Sequence, residues 1–278
     1  MDHTNTEATP TRRRDRRSAE RKAAHNPRPT RRPVWQSPIA LVTGGALIVG
    51  ELLIGALQLL PSGSNGGPAQ PGTKTAAGIL VPLVGTPANL TDGRSLGRAD
   101  APVKLIVWSD FQCPACRIFA TQIKPSLTRD YVASGKLRLE YRDYILIGPQ
   151  STDLAAAARC ADEQGAFWPF HNVTFANQGI ERSGWATKGK IADLADAVGL
   201  NRPTFDACVA SGVAAAAATA ETATGRGRVT STPTLDFGSQ VIAGSPPYEQ
   251  LVPIIDELLA AAAASGSAGS SPAASATP

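Results

Sequence analysis

The chain has 278 residues, of which 42% are hydrophobic and 18% charged, and its formal net charge at pH 7 is +4. Residues 1–37 carry ten Lys or Arg and four Asp or Glu, so the rest of the chain has a net charge of −2. The basic charge therefore belongs to one terminal segment. It is no argument for nucleic-acid binding by the folded part, and we expect no nucleic-acid partner.

The first 60 residues predict a membrane anchor. Residues 1–37 are rich in Arg and Pro and predict a disordered cytoplasmic tail. Residues 38–60 are almost wholly apolar and, as a helix of about 34 Å, would cross a hydrocarbon core of ~30 Å. The preceding Arg cluster predicts a single-pass protein of the cell membrane with its folded domain outside the cytoplasm. A cleaved signal peptide, cut near residues 62–64, is the alternative. The role of Glu51, inside the apolar segment, stays open.

The remainder of the chain divides by composition. Residues 61–79 are mainly Gly, Ser, Pro, Ala and Thr and predict a flexible linker. Residues 80–260 have the hydrophobic patterning of a globular domain. Residues 261–278 consist of Ala, Ser, Gly and Pro, with a single Thr, and this composition predicts a disordered tail.

Within 80–260 the patterns predict strands at both ends and helices between them. The predicted order is strand, helix, strand, a helical insertion at about 150–225, a hairpin and a closing helix. We expect a kink at Pro125 in the first helix. The predicted elements are strand 103–108, helix 114–133, strand 137–144, the Ala-rich helical block 151–224, hairpin strands 234–237 and 240–243, and helix 247–259.

The sequence Cys113-Pro114-Ala115-Cys116 joins the first strand to the first helix. A strand leading into Cys-x-x-Cys and then a helix is typical of a reactive dithiol. Unpaired N–H groups and the helix dipole favour a thiolate at Cys113, which we expect to be the exposed nucleophile. Cys116 should be more buried and resolve the mixed disulfide. An inert disulfide or half a zinc site is the alternative, but zinc needs further Cys or His at short spacing, so we expect neither a metal nor a cofactor.

Thr232-Pro233 opens the predicted hairpin. We interpret it as a cis peptide bond facing the dithiol, with the Thr232 backbone free to pair with a substrate strand. An ordinary trans proline in a turn is the alternative, since only about 5–6% of X–Pro bonds in folded proteins are cis.

Three segments, 111–116, 160–171 and 232–234, resemble the DsbA-like thiol:disulfide oxidoreductases of the thioredoxin superfamily over about residues 95–260. The resemblance implies an α/β thioredoxin fold with an inserted helical domain, here preceded by a single transmembrane helix. It also implies a redox dithiol, a loop with a cis proline beside it, and a role in introducing or reshuffling disulfides outside the cytoplasm. The residues concerned are Cys113, Cys116, Thr232 and Pro233.

Cys160 and Cys208 fall in two different helices of the predicted insertion. A structural disulfide is expected, because some DsbA-like relatives carry one in this domain. Closing a loop of about 48 residues would stabilise the fold by about 3–4 kcal/mol in the chain-entropy model. The alternative is two unpaired buried cysteines that pack as small apolar residues.

The chain departs from the family pattern at two points. Ala115 stands where a histidine is common in the dipeptide, which removes an imidazole that could stabilise the thiolate. Val107 occupies a strand position where relatives often carry a buried acid. Asp110 either substitutes for that acid or is a solvated loop residue, and we favour the second. The aromatic run at 167–170 is expected in the core, and the role of His171 stays open.

Together these patterns predict a membrane-anchored, extracytoplasmic thiol:disulfide oxidoreductase, a monomer, that introduces disulfides into exported proteins with free thiols. The family resemblance further implies a quinone-linked membrane partner that reoxidises the dithiol. Two alternatives stay open. One is a reductase or isomerase on the same fold, and the other is a non-catalytic peptide-binding module, in which Cys113→Ser would leave function intact.

Overall fold

A computed structural model describes residues 69–268 of the chain, with side chains to residue 265. Within this range no helix is long and apolar enough to cross a membrane. The predicted basic tail, the predicted membrane anchor and residues 61–68 of the predicted linker lie outside the described residues, as do residues 269–278. The rest of the predicted linker, residues 69–79, is described, and Ile79 at its end is fully buried.

The described part of the chain is built around one mixed sheet of six strands in the order β1-β2-β4-β3-β5-β6. Strands β3 and β4 are parallel and pair from Val103 with Leu137 to Ser109 with Asp143, and all other pairs are antiparallel. The strands are β1 Thr91–Asp92, β2 Ser95–Leu96, β3 Val103–Ser109, β4 Leu137–Asp143, β5 Thr234–Asp236 and β6 Val241–Ala243.

The central strand β3 is buried or half-buried at every position except the exposed Lys104, whereas β4 alternates buried and half-buried residues. The strands and hairpin predicted from the sequence are therefore present, with ends shifted by one residue. The two-residue strands β1 and β2 were not predicted.

A short 3-10 helix, Ala88–Leu90, and seven longer helical segments complete the described residues. The first longer segment, α1, spans residues 114–132 and combines α-helical turns with two wider π-type segments, Phe119–Ile123 and Thr128–Val132. The others are α2 Pro149–Asp162, α3 Phe167–Ala176, α4 Lys188–Ala197, α5 Arg202–Ser211, α6 Val213–Thr224 and α7 Tyr248–Ala268.

Helix α1 passes through Pro125 without ending. Proline has no N–H to donate, and its ring crowds the carbonyl four residues earlier. The helix widens just before it, where the Lys124 N–H donates to the Phe119 carbonyl. The buried face runs along every fourth residue, from Phe119 to Tyr131. Ile118 lies outside this row and is 43% exposed.

Helices α2 to α6 form the predicted insertion. The alanine-rich face of α2 is buried and packs most extensively against α6, because small side chains allow close approach. A disulfide joins Cys160 in α2 to Cys208 in α5, with 5.8 Å between the two Cα atoms. The expected pairing is therefore present, and it holds two helices of the insertion together.

The closing helix α7 extends to Ala268, beyond the predicted end at residue 259. The additional turns are mostly alanine, which has the highest intrinsic helix propensity of all residues. The start of the predicted disordered tail, residue 261, therefore lies inside this helix.

Candidate redox-active site

The site forms where β3 ends and α1 begins. Cys113 is the N-cap residue of α1, with extended backbone angles, and Pro114 follows at the first helical position. A proline is favoured there because that N–H has no intrahelical acceptor. The Cys113 carbonyl accepts from the Arg117 N–H at 3.1 Å, which closes the first turn. This places the Cys113 sulfur beside the free N–H groups of the helix start.

The Cys113 thiol lies under the loop that contains Pro233. It donates a hydrogen bond of 3.2 Å to the Thr232 carbonyl, and the residue is only 8% exposed. We expected an exposed Cys113, and this expectation is wrong. The Thr232 carbonyl and its loop cover the sulfur, although 119 positions separate the two residues.

Several donors stabilise a negative charge on Cys113. A hydrogen bond from the Cys116 thiol has the largest effect and lowers the pKa of Cys113 to about 6, against the opposing effect of burial. The Thr232 side chain and the N–H groups of Cys116 and Ala115 lower this pKa further. The Thr232 hydroxyl has no other hydrogen-bond partner in the described part of the chain, so it is free to donate a hydrogen bond to the Cys113 thiolate.

Cys116 behaves in the opposite way. It is 1% exposed, and burial, together with its interaction with Cys113, raises the pKa of its thiol well above the ordinary value. The Asp110 N–H contacts its sulfur at 3.5 Å. The two free cysteines therefore form a pair in which one favours the thiolate and the other the thiol.

The Thr232–Pro233 peptide bond is cis, as interpreted from the sequence. Pro233 comes directly before β5, and its carbonyl accepts from the Gly244 N–H at 2.7 Å. The structure thus brings Cys113, Cys116 and Thr232 together. The disulfide between Cys160 and Cys208 lies apart from them, within the helical insertion.

Asp110 is buried, at 3% exposure, and our expectation of a solvated loop acid is wrong. Its carboxylate accepts three backbone N–H groups, from Gln112 at 2.8 Å, Leu146 at 2.9 Å and Ile147 at 3.0 Å. These donors would otherwise be unpaired in the two loops that follow β3 and β4. Asp110 therefore fixes the turn that carries Cys113 against the neighbouring loop. Val107 is buried and apolar on β3.

Gln178, which we did not predict as a site residue, holds the same turn in place through hydrogen bonds. Its side-chain amide donates to the Phe111 carbonyl at 2.8 Å and to the Cys113 carbonyl at 3.0 Å. Gln112 donates in turn to the Ser151 hydroxyl at 2.9 Å. The helical insertion thus holds the redox turn through hydrogen bonds. No local sequence pattern indicates Gln178, because its partners lie more than 60 positions away.

His171 is a core residue in α3. It is 3% exposed, its ring contacts five other aromatic rings, and its Nδ1 lies 3.0 Å from the Asn172 side-chain oxygen. Burial lowers its pKa well below the ordinary value, so the ring is neutral. Its role is packing between α3, the sheet and the redox turn. The ring neighbours are Phe111, Tyr141, Phe167, Trp168 and Phe175.

The family model described as Thioredoxin matches residues 89–257. The chain belongs to the thioredoxin family. This match includes both cysteines of the dithiol, the helical insertion and Pro233. Across the described residues, no group of three or more His, Cys, Asp or Glu side chains could hold a metal ion.

Several known proteins resemble the chain. It is 38% identical over 104 residues to the probable disulfide bond formation protein D of Bacillus cereus, covering 36% of this chain and 48% of that protein. It is 30% identical over 102 residues to the disulfide bond formation protein D of Bacillus subtilis, covering 36% and 46%. The chain thus spans about half the length of the curated relatives it matches.

Solved structures show the same fold. The crystal structure of oxidised BdbD from Bacillus subtilis has a TM-score of 0.57 and 24% identity, and the alignment covers 60% of this chain and 93% of that one. The structure of α-DsbA1 from Wolbachia pipientis also has a TM-score of 0.57, with 17% identity over 63% of this chain and 95% of that one. The thioredoxin fold with a helical insertion is therefore confirmed.

Proposed function

We propose that this protein is a membrane-anchored, extracytoplasmic thiol:disulfide oxidoreductase that introduces disulfides into exported proteins. The observation that carries the proposal is the pair of free cysteines at the start of α1, where Cys113 lies against the Thr232 carbonyl and Cys116 is almost fully buried. These surroundings lower the pKa of Cys113 to about 6 and raise the pKa of Cys116. A stabilised Cys113 thiolate stabilises the reduced enzyme. It therefore makes the disulfide form a strong oxidant.

The reaction balances as two thiol–disulfide exchanges. A substrate thiolate attacks Cys113 of the enzyme disulfide, the Cys113–Cys116 bond breaks, and Cys116 leaves and takes up a proton, as its raised pKa favours. A second substrate thiolate then attacks the substrate sulfur of the mixed disulfide. Cys113 leaves as the thiolate that its surroundings stabilise. Two electrons pass from the substrate to the enzyme, and the substrate gains one disulfide.

The loop with Pro233 would position the substrate. The Thr232 carbonyl, at 3.2 Å from the Cys113 sulfur, is a backbone acceptor beside the reacting atom. An extended substrate segment could use this acceptor in the manner of strand addition. The substrate cysteine would then lie next to Cys113.

We infer the location of the protein and its substrates from the sequence. Residues 38–60 would anchor the protein with its N-terminus in the cytoplasm, and exported proteins with free thiols would be its substrates. The names of the Bacillus relatives, disulfide bond formation protein D, agree with this role. The reduced dithiol would be reoxidised by a quinone-linked membrane partner. The proposed state is a monomer.

The test is oxidation of a peptide that contains two cysteines by the purified, oxidised full-length chain, followed by mass spectrometry. We expect one peptide disulfide per enzyme molecule. Cys113→Ser should abolish the reaction, and the control variant Cys160→Ala/Cys208→Ala should retain it. No peptide oxidation by the wild-type chain would contradict the proposal and support the non-catalytic peptide-binding module. Equal oxidation by Cys113→Ser would show that the dithiol is not the oxidant.

A further inference from the structure

A cavity of about 590 Å³ lies between α1, α3 and the segment 82–87, and it contains none of the residues of the redox site. Its volume is within the range of small-molecule binding sites in proteins, about 300–1,000 Å³. Most of its lining is apolar, and the apolar residues include Pro82, Leu83, Leu90, Ala120, Pro125 and Phe175. The cavity is therefore suited to an apolar group of modest size.

The lining contains two cations, Lys124 and Arg129, and only Lys124 is buried. Lys124 is 4% exposed, and its amine donates to the Asn172 side-chain oxygen at 2.7 Å. The Thr86 hydroxyl is at 3.5 Å, the outer limit of a hydrogen bond, and the Trp168 ring centroid is at 4.9 Å. An ammonium group has three N–H donors, so one short bond leaves it incompletely paired.

Lys124 has no carboxylate partner among the described residues. Burial lowers the pKa of the Lys124 amine to about 7. The Asn172 oxygen is shared, since His171 also contacts it. The other cation of the cavity wall, Arg129, is already paired with Asp130 at 2.7 Å. A buried cation without a partner is costly, and an anion in the cavity would remove that cost.

We propose that the cavity binds a small monocarboxylate with an apolar tail. Its carboxylate would pair with the Lys124 ammonium, and its tail would lie along the apolar lining. Leu83 and Val84, which are 78% and 69% exposed, flank the cavity and would contact a tail that extends past it. This site is independent of the dithiol and of the function proposed above.

The first test is calorimetric titration of the full-length chain with octanoate, with octan-1-ol as the same tail without the carboxylate. We expect one octanoate per chain and at least tenfold weaker binding of octan-1-ol. Lys124→Met should weaken octanoate binding at least tenfold, and Lys104→Met, the same change at an exposed lysine, should leave it unchanged. Equal binding of the two ligands, or unchanged binding by Lys124→Met, would refute the site.

Proton uptake gives a second readout that needs no variant. Burial holds the pKa of Lys124 low in the free protein, and a paired carboxylate would raise it, so binding at pH 8 should take up protons. Titrations in buffers of different ionisation enthalpy measure this uptake. Binding without proton uptake contradicts the pairing. Lys124→Met should keep its melting temperature and its peptide oxidation, which separates loss of this site from loss of the fold or of the dithiol.

Discussion

At the scale of single residues, the chemistry of the dithiol depends on contacts that cross the chain. The sequence predicted that Cys116 is more buried than Cys113, because this order follows from the start of a helix. It did not predict that Thr232 covers Cys113 or that Asp110 is buried. Those features come from the loop before β5 and the loop after β4, which meet the redox turn only in the folded protein.

The Cys113 thiol should titrate with a midpoint near pH 6, which the pH dependence of its alkylation rate measures. Cys116→Ala should raise the midpoint, because it removes the most effective hydrogen bond to Cys113, and Cys116→Ser should raise it less, since serine keeps a donor. A wild-type midpoint near that of an unperturbed cysteine, about 8.5, would contradict the geometry of the site.

The same shift links pH to the stability of the reduced protein. The pKa of Cys113 is lower in the folded protein than in the unfolded chain, so its thiolate stabilises the fold fully above about pH 8.5. That stabilisation should be lost as the pH falls from about 8.5 towards 6. Urea unfolding of reduced wild-type protein and of Cys113→Ala at several pH values measures it. A pH-independent difference between the two would contradict the expectation.

Gln178→Leu should lower the free energy of unfolding by about 1–3 kcal/mol, because it leaves two carbonyls of the redox turn without their donor. The matched control is Gln250→Leu, at an exposed position of α7. Urea unfolding followed by circular dichroism compares the two variants. An equal loss of unfolding free energy in both variants would argue against a role of Gln178 in holding the redox turn in place.

At the scale of elements, the helices and strands with a long hydrophobic pattern could be predicted from the sequence. The apolar run of β3 and the Ala-rich helical block of the insertion have clear patterns, and both are present. Strands β1 and β2 have two residues each, too few to produce an alternating pattern. The end of α7 was misplaced because an alanine run has no hydrophobic periodicity, although alanine favours helix.

The disulfide between α2 and α5 should contribute stability and not redox chemistry. Replacing both of its cysteines by alanine should lower the free energy of unfolding by about 3–4 kcal/mol, because the loop of the unfolded chain is no longer closed. Thermal and urea unfolding measure this loss, while peptide oxidation should be unchanged. Lost oxidation at unchanged stability would overturn the structural role of Cys160 and Cys208.

At the scale of the whole molecule, a partly buried ionic cluster joins the helical insertion to the sheet. Glu221 in α6 accepts from Arg94 at 2.7 Å and from Arg159 at 2.8 Å, and Arg159 also pairs with Asp143 at the end of β4, at 2.6 Å. Burial opposes ionisation of Glu221, yet these donors hold its pKa down, at about 2. No spacing in the sequence indicates this cluster, because its members come from four different segments.

Glu221→Gln should lower the free energy of unfolding by about 3 kcal/mol, since removing one partner leaves buried charges unbalanced. Glu140→Gln is the matched control. Glu140 pairs with Arg142 at 3.2 Å on the same sheet, but its side chain is 22% exposed against 8% for Glu221. Its loss should cost at most about 1 kcal/mol. Similar losses in urea unfolding of the two variants would contradict the structural role of the cluster.

The central claim is that the whole arrangement stabilises the reduced dithiol and so makes the protein a disulfide donor. The most direct test is the reduction potential of the full-length protein equilibrated against glutathione, with Cys113→Ser as the control that shows no dithiol transition. The lowered pKa of Cys113 predicts an oxidising value, above about −200 mV and towards the figure of about −120 mV for DsbA. A value near −270 mV, that of thioredoxin, would contradict the account and indicate a reductase.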